Sequence, residues 1–278
     1  MNVSRLAVRP GVLARIKDRQ QSFLPIPNYP SLRVYALPPA AFSTSSSFLC
    51  TNHKSPSEHT SAETKKTQTD KFSAGLRKNK EWAAQTAREH PDLFPTLANG
   101  QTPQILWLGC SDSRCPETSM LGLQPGDVFV HRNIANIIHP GDLSSSAVIE
   151  YAVVHLRVSH IVVCGHTSCG GVAAAMGNKQ LGILDPWLMP LRQVRERNLA
   201  ILQSLPTDEA ALKLVELNVR EGLNIVKQKG AVLSAIQERG LQVHGLIYDV
   251  ASGVLSQLDT EDSEEAIKAR LTAFNIEP

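Results

Sequence analysis

No uninterrupted run of about 18 apolar residues occurs in the 278-residue chain, which excludes a membrane-spanning helix. Acidic residues are nearly missing from the first 57 positions, where Asp18 stands alone against Arg5, Arg9, Arg15, Lys17, Arg19, Arg33 and Lys54. That stretch also lacks the compact apolar core of a secretory signal. The cysteines are few and odd in number (Cys50, Cys110, Cys115, Cys164 and Cys169), unlike the framework of a disulfide-stapled secreted domain. No internal repeat is found. The net charge of +2 conceals an asymmetry, because residues 58–278 hold 21 basic and 25 acidic side chains. A mildly acidic body argues against a nucleic-acid surface. What is present, 42% hydrophobic and 19% charged residues, is enough to bury a core and excludes wholesale disorder.

Residues 1–50 read as an address. Leu6, Val8, Val12, Leu13 and Ile16 lie among arginines, as in an amphipathic helix broken at Pro10, and a hydroxyl-rich run follows at 43–47. This composition fits a transit peptide, and its arginines favour the mitochondrion, with the matrix as destination, over the chloroplast. Residues 51–70, rich in Ser, Thr, Lys and Glu, read as a flexible linker. A folded domain is expected over 71–278. The pattern predicts a helix over 71–90 with Phe72, Leu76 and Ala83 on one side, and apolar strands at 104–109 and 128–131. Asp142 or Ser144 caps a helix running to about Leu156, a third strand covers 160–164, and a helix starts near Gly171. Helical stretches at 187–204 and 208–239, a strand pair at 242–250 and 254–258, and a helix at 261–274 complete the chain. Strand, strand, helix, strand, helix is the order of an α/β fold with a mainly parallel central sheet flanked by helices.

The chemistry gathers around cysteine and histidine. Cys164, inside an apolar strand, reads as a small buried hydrophobe, and Cys115 as a bystander. Cys110 follows one strand, and His166 and Cys169 follow another. Carboxyl ends of parallel strands are where reactive groups collect. Two thiolates and an imidazole would give zinc a soft tetrahedral site with one position open, the pattern of a catalytic ion. Asp112 lies two residues past Cys110, and Arg114 two further on. An arginine there keeps the carboxylate ionised and oriented, ready to aim a nucleophile or to swing in as a fourth ligand. A plain surface ion pair has the same spacing.

Three runs in order, CSDSR at 110–114, HRNIAN at 131–136 and CGHTSCGG at 164–171, closely resemble the β-class carbonic anhydrases. The likeness extends over about 71–274 and includes VHGLIYD at 243–249. The resemblance implies the β-carbonic anhydrase fold and reversible, zinc-dependent hydration of carbon dioxide to bicarbonate. It implies one zinc ion per chain on Cys110, His166 and Cys169, and a catalytic Asp112–Arg114 dyad. Gln101, nine residues before Cys110, matches the glutamine that holds a bicarbonate oxygen. Phe129 and Tyr151 match pocket walls, and Ile134 and Gly170 match further contacts. Gln101, Phe129 and Tyr151 are expected from a neighbouring subunit, so the partner is a second copy of the chain, in a homodimer or homotetramer. Trp107 and Gly109 resemble the type II subset, whose members can fold a regulatory bicarbonate into a site matching Trp107, Arg132 and Tyr151, with Asp112 then on the metal. Relatives on this scaffold that cleave carbon disulfide or carbonyl sulfide form a second reading, disfavoured by Gln101. A thiol redox module built on Cys110 and Cys115 is a third; it has no need of Asp112, Arg114 or Gln101.

Overall fold

Short apolar runs bounded by turns form the centre of the protein. In the computed structural model, which describes residues 70–260 and 262–274, they assemble into one five-stranded sheet. The elements run α1 (Lys71–Glu89), α2 (Leu93–Ala98), β1 (Ile105–Cys110), α3 (Glu117–Leu121), β2 (Val128–Asn133), α4 (Leu143–Glu150), β3 (His160–His166) and α5 (Gly170–Met176). They continue as α6 (Leu184–Arg197), α7 (Leu199–Gln203), α8 (Thr207–Lys227), α9 (Gly230–Arg239), β4 (Gln242–Tyr248), β5 (Leu255–Gln257) and α10 (Glu264–Phe274). Strand order is β2-β1-β3-β4-β5; the first four are parallel, and β5 returns antiparallel to β4. The α/β class and mainly parallel sheet are as the sequence led us to expect. The transit-peptide segment 1–50, and the linker 51–70 apart from Asp70, lie outside the described residues.

Strands covered on both faces need apolar side chains at every position, which is why β1 reads ILWLGC without alternation. On one face Leu106, Leu108, Ile161 and Val163 pack with Ile149, Val219 and Leu223 from α4 and α8. On the other, Trp107, Val162 and Cys164 pack with Leu246, Tyr248 and Leu255. Cys164 is buried, and burial pushes its thiol up to about 12, as expected of an inert core cysteine.

Several boundaries differ from the sequence pattern for identifiable reasons. Asp142, not Ser144, caps α4, accepting from the Ser144 and Ser145 backbone N–H groups at 3.0 and 3.1 Å. The helix expected to reach Leu156 changes pitch at Tyr151 to one turn of π-helix, where Leu156 N–H reaches back to the Tyr151 carbonyl. The stretch 208–239 is two helices, α8 and α9, parted at Gln228 and Lys229. Phe72 and Leu76 of α1 are 73% and 54% exposed, so among the described residues these two side chains meet no core. Among the described residues no helix is long and apolar enough to cross a membrane.

Candidate active site and metal centre

The parallel strands deliver their carboxyl ends to one rim. Cys110 is the last residue of β1, His166 the last of β3, and Cys169 the residue that opens α5. β1 and β3 pair directly, Leu108 opposite Val163, so residues far apart in sequence meet. The Cys110 and Cys169 sulfurs are 4.0 Å apart, and the donor atoms of Cys110, His166 and Cys169 all lie within 4.8 Å of one another. All three residues are buried, His166 to 1% exposure. Two metal–sulfur bonds of ~2.3 Å at a wide tetrahedral angle span such a sulfur separation.

The histidine is set for ligation. Its Nδ1 lies 2.9 Å from the Thr167 carbonyl. A carbonyl only accepts, so Nδ1 carries the proton and Nε2 presents its lone pair. That Nε2 is buried with no hydrogen-bond partner, a costly arrangement unless it binds something else. The sulfurs point the same way. The hydrogen bond from Cys169 is the largest influence drawing the Cys110 thiol well below its ordinary value. Sharing the proton with Cys110 pushes Cys169 up. One proton therefore serves two sulfurs, and ionising both calls for a cation between them. The donors fit a metal ion.

At the edge of this cluster stands the acid pair. Arg114 grips Asp112 with two parallel bonds, Nε to Oδ1 at 2.9 Å and Nη2 to Oδ2 at 2.7 Å, and also donates to the Ser168 carbonyl at 3.0 Å. These bonds hold the Asp112 carboxyl well below the usual carboxylate range. Its Oδ2 is 3.9 Å from His166 Nε2. Asp112 faces the metal donors while committed to Arg114, and is not one of the three clustered ligands.

The remaining expected site residues divide. Ile134 and Gly170 sit beside the cluster, Ile134 in the turn after β2 and Gly170 next to Cys169. The glycine with no room for a side chain is Gly171, whose Cβ would come within 2.8 Å of the Ala135 Cβ; around Gly170 the space is open. Gln101 lies four residues before β1, in the chain segment that enters the strand at the end opposite Cys110; at ~3.3 Å per residue β1 itself spans about 17 Å from Ile105 to Cys110. Phe129 and Tyr151 stack on each other with centroids 5.7 Å apart.

The regulatory trio needs correction. Phe129 is in register with Leu106, on the face covered by α4 and α8, and carries Tyr151 there. Trp107 and Gly109 face the other way, in register with Val130 and Arg132. Tyr151 is therefore across the sheet from Trp107 within a chain. The tyrosine on the Trp107 face is Tyr248, which the period-two alternation of β4 would have indicated. Arg132 is also engaged: Nε donates to the Cys110 carbonyl at 2.7 Å and Nη2 to that of Asp112 at 2.5 Å, while Nη1 faces Glu117 at 3.7 Å. Cys115 is buried, with its thiol raised to about 11 by burial, which makes it a poor thiolate.

Such donors at the carboxyl ends of parallel strands place the protein among α/β enzymes that gather a metal-type donor set at the sheet rim. The carbonic anhydrase family profile matches residues 105–255. The chain is 45% identical over 185 residues to the carbonic anhydrase of Emericella nidulans, covering 66% of this chain and 81% of the relative. It is similar to the crystal structure of the β-carbonic anhydrase CafA of Aspergillus fumigatus, with 72% identity and a TM-score of 0.74 over 75% of this chain and all of that one. It is also similar to a structure from work on two tetrameric β-carbonic anhydrases of Sordaria macrospora, with 47% identity and a TM-score of 0.68 over 70% of this chain and all of that one. The chain belongs to the carbonic anhydrase family, in its β class.

Proposed function

We propose that this carbonic anhydrase depends on zinc, one ion per chain, held by Cys110, His166 and Cys169, and interconverts carbon dioxide with bicarbonate and a proton. The observation that carries this reading is the buried Cys–His–Cys cluster with an orphaned His166 Nε2. Two sulfurs and one nitrogen suit zinc, and the count of three leaves room for substrate. When bound, zinc supplies the Lewis acidity that lets water ionise near neutral pH.

The chain's residues do the rest. Asp112, kept anionic by Arg114, accepts a hydrogen bond from the attacking oxygen and turns its lone pair toward the carbon. Arg114 keeps Asp112 from rotating away, because two guanidinium bonds and the Ser168 carbonyl fix its own plane. Ile134 and Gly170 shape the wall beside the cluster. Gln101, with Phe129 and Tyr151, serves the pocket of a second copy, where the amide steadies charge on the bicarbonate oxygens. The separation of Gln101 from Cys110 within one chain favours a homodimer or homotetramer. The proton leaves to buffer.

The basic, acid-poor residues 1–50 act as a mitochondrial transit peptide, cut between about 34 and 60. Fusing 1–57 to a fluorescent reporter tests this address, and a cytosolic reporter would remove it. Zinc content and stopped-flow hydration of carbon dioxide on the purified chain test the activity. One ion per chain with turnover supports the reading; faster turnover of carbon disulfide than of carbon dioxide would replace it.

A further inference from the structure

The turn after β2, residues 134–137, is built against local preference. Ala135 and Asn136 both take left-handed backbone angles, with φ of 61° and 46°. Side chains other than glycine adopt that region reluctantly, and two in succession require outside support. Side chains from three elements provide it. Asn133, at the end of β2, donates to the Ile137 carbonyl at 2.9 Å. Trp187, on α6, donates its indole N–H to the Ile134 carbonyl at 2.9 Å. Asn218, only 5% exposed in the middle of α8, donates Nδ2 to the Ala135 carbonyl at 2.8 Å.

With its carbonyls drawn outward, the turn packs Ala135 into the buried cluster that also holds the Cys110 ligand. The other thiolate ligand approaches the same turn, because Gly171, two residues past Cys169, lies against Ala135 with no space for a Cβ. Resting on the reading that Cys110, His166 and Cys169 hold a metal, we propose that Asn218, with Trp187, is a positioning residue of the metal centre. It fixes the left-handed Ala135 in the buried packing that seats Cys110 and, through Gly171, the segment of Cys169. Asparagine suits this position because the long helix α8 passes behind the turn, and a short amide delivers a donor where a hydrocarbon of the same size cannot.

Asn218→Leu keeps the branched shape and removes the donor; Trp187→Phe keeps an aromatic ring and removes the indole N–H with part of the ring system. Each is loaded with zinc and then with cobalt, alongside wild type and Leu223→Ala, a core cavity on the same helix that faces away from the centre. Zinc release to dipicolinate should be about tenfold faster in Asn218→Leu, the lower range for loss of an outer partner, and about threefold faster in Trp187→Phe. The thiolate-to-cobalt charge-transfer band should move in both and stay put in Leu223→Ala. A wild-type chain that retains neither metal overturns the metal reading and this inference together. A wild-type chain that retains metal, with Asn218→Leu releasing it no faster than Leu223→Ala at comparable loss of melting temperature, overturns this inference alone. Should Asn218→Leu not fold, an unchanged band and release rate in Trp187→Phe overturn it equally.

Discussion

Cys110 is buried at the end of β1 with its sulfur 4.0 Å from that of Cys169, and the hydrogen bond between them draws its thiol down. A serine in its place offers a hydroxyl that does not ionise at working pH. Cys110→Ser is expected to lose zinc and turnover together, which elemental analysis and a hydration assay read on one sample; a metal-free variant with full turnover would refute the metal assignment. The acid pair acts differently. Asp112→Asn keeps the shape but loses the anion, and Arg114→Ala frees the carboxylate from its fixed plane. Both should keep zinc and lose about 10²-fold in turnover, the low end for a positioned acid–base group. Equal kinetics in wild type and both variants would reduce the pair to a surface ion pair.

At the level of elements, Gly109 shows how one missing side chain sets a face. A Cβ there would run into the Trp107 indole, which lies flat along β1 and is 2% exposed. Gly109→Ala should cost about 1–3 kcal/mol in a denaturant melt, as overpacking does. The last helix, α10, is tied down by one carboxylate: Asp262 accepts from Arg270 at 2.8 and 3.0 Å and from Lys227 at 2.7 Å. The Arg270 bonds first, then Lys227, lower Asp262 to about 2 from an ordinary value near ~3.9. A carboxyl depressed by folding stabilises above its unfolded value and loses that contribution as pH falls through the folded one. Asp262→Asn should therefore lower the melting temperature at pH 7, with the gap to wild type closing between pH 4 and pH 2. The central strands and the mainly parallel sheet were legible because apolar runs between turns leave few alternatives, and Cys110, His166 and Cys169 were legible because strand ends converge. The short helices α2 and α3, the π turn at Tyr151 and the left-handed Ala135 were not. The Ala135 turn is held by Trp187 and Asn218, more than 50 positions away, and no local propensity records those bonds. The face of Tyr151 was missed for a related reason, since it depends on which β2 residue its helix meets.

For the whole molecule, an ion that binds the folded chain and not the unfolded one adds stability by mass action. At 1,000 times its dissociation constant the gain is about 4 kcal/mol. With ~2–4 °C per kcal/mol for a domain of this size, stripping zinc should lower the melting temperature by about 8–16 °C, measured by calorimetry with and without chelator. An unchanged melting temperature would mean that the cluster holds no ion. The direct pairing of β1 with β3 carries a consequence for the order of events in the life of the chain. His166 and Cys169 are three residues apart and can touch an ion in a coil, whereas Cys110, 56 positions before His166, joins them only after the chain between has looped and the two central strands have zipped. An unfinished chain thus offers a two-toothed chelate and a finished one a three-toothed chelate, so the ion discriminates between them and its tight capture certifies that the middle of the sheet has been laid correctly. Refolding with cobalt present should make this visible in time: the thiolate band would rise with the near-ultraviolet signal of packed aromatics, never ahead of it.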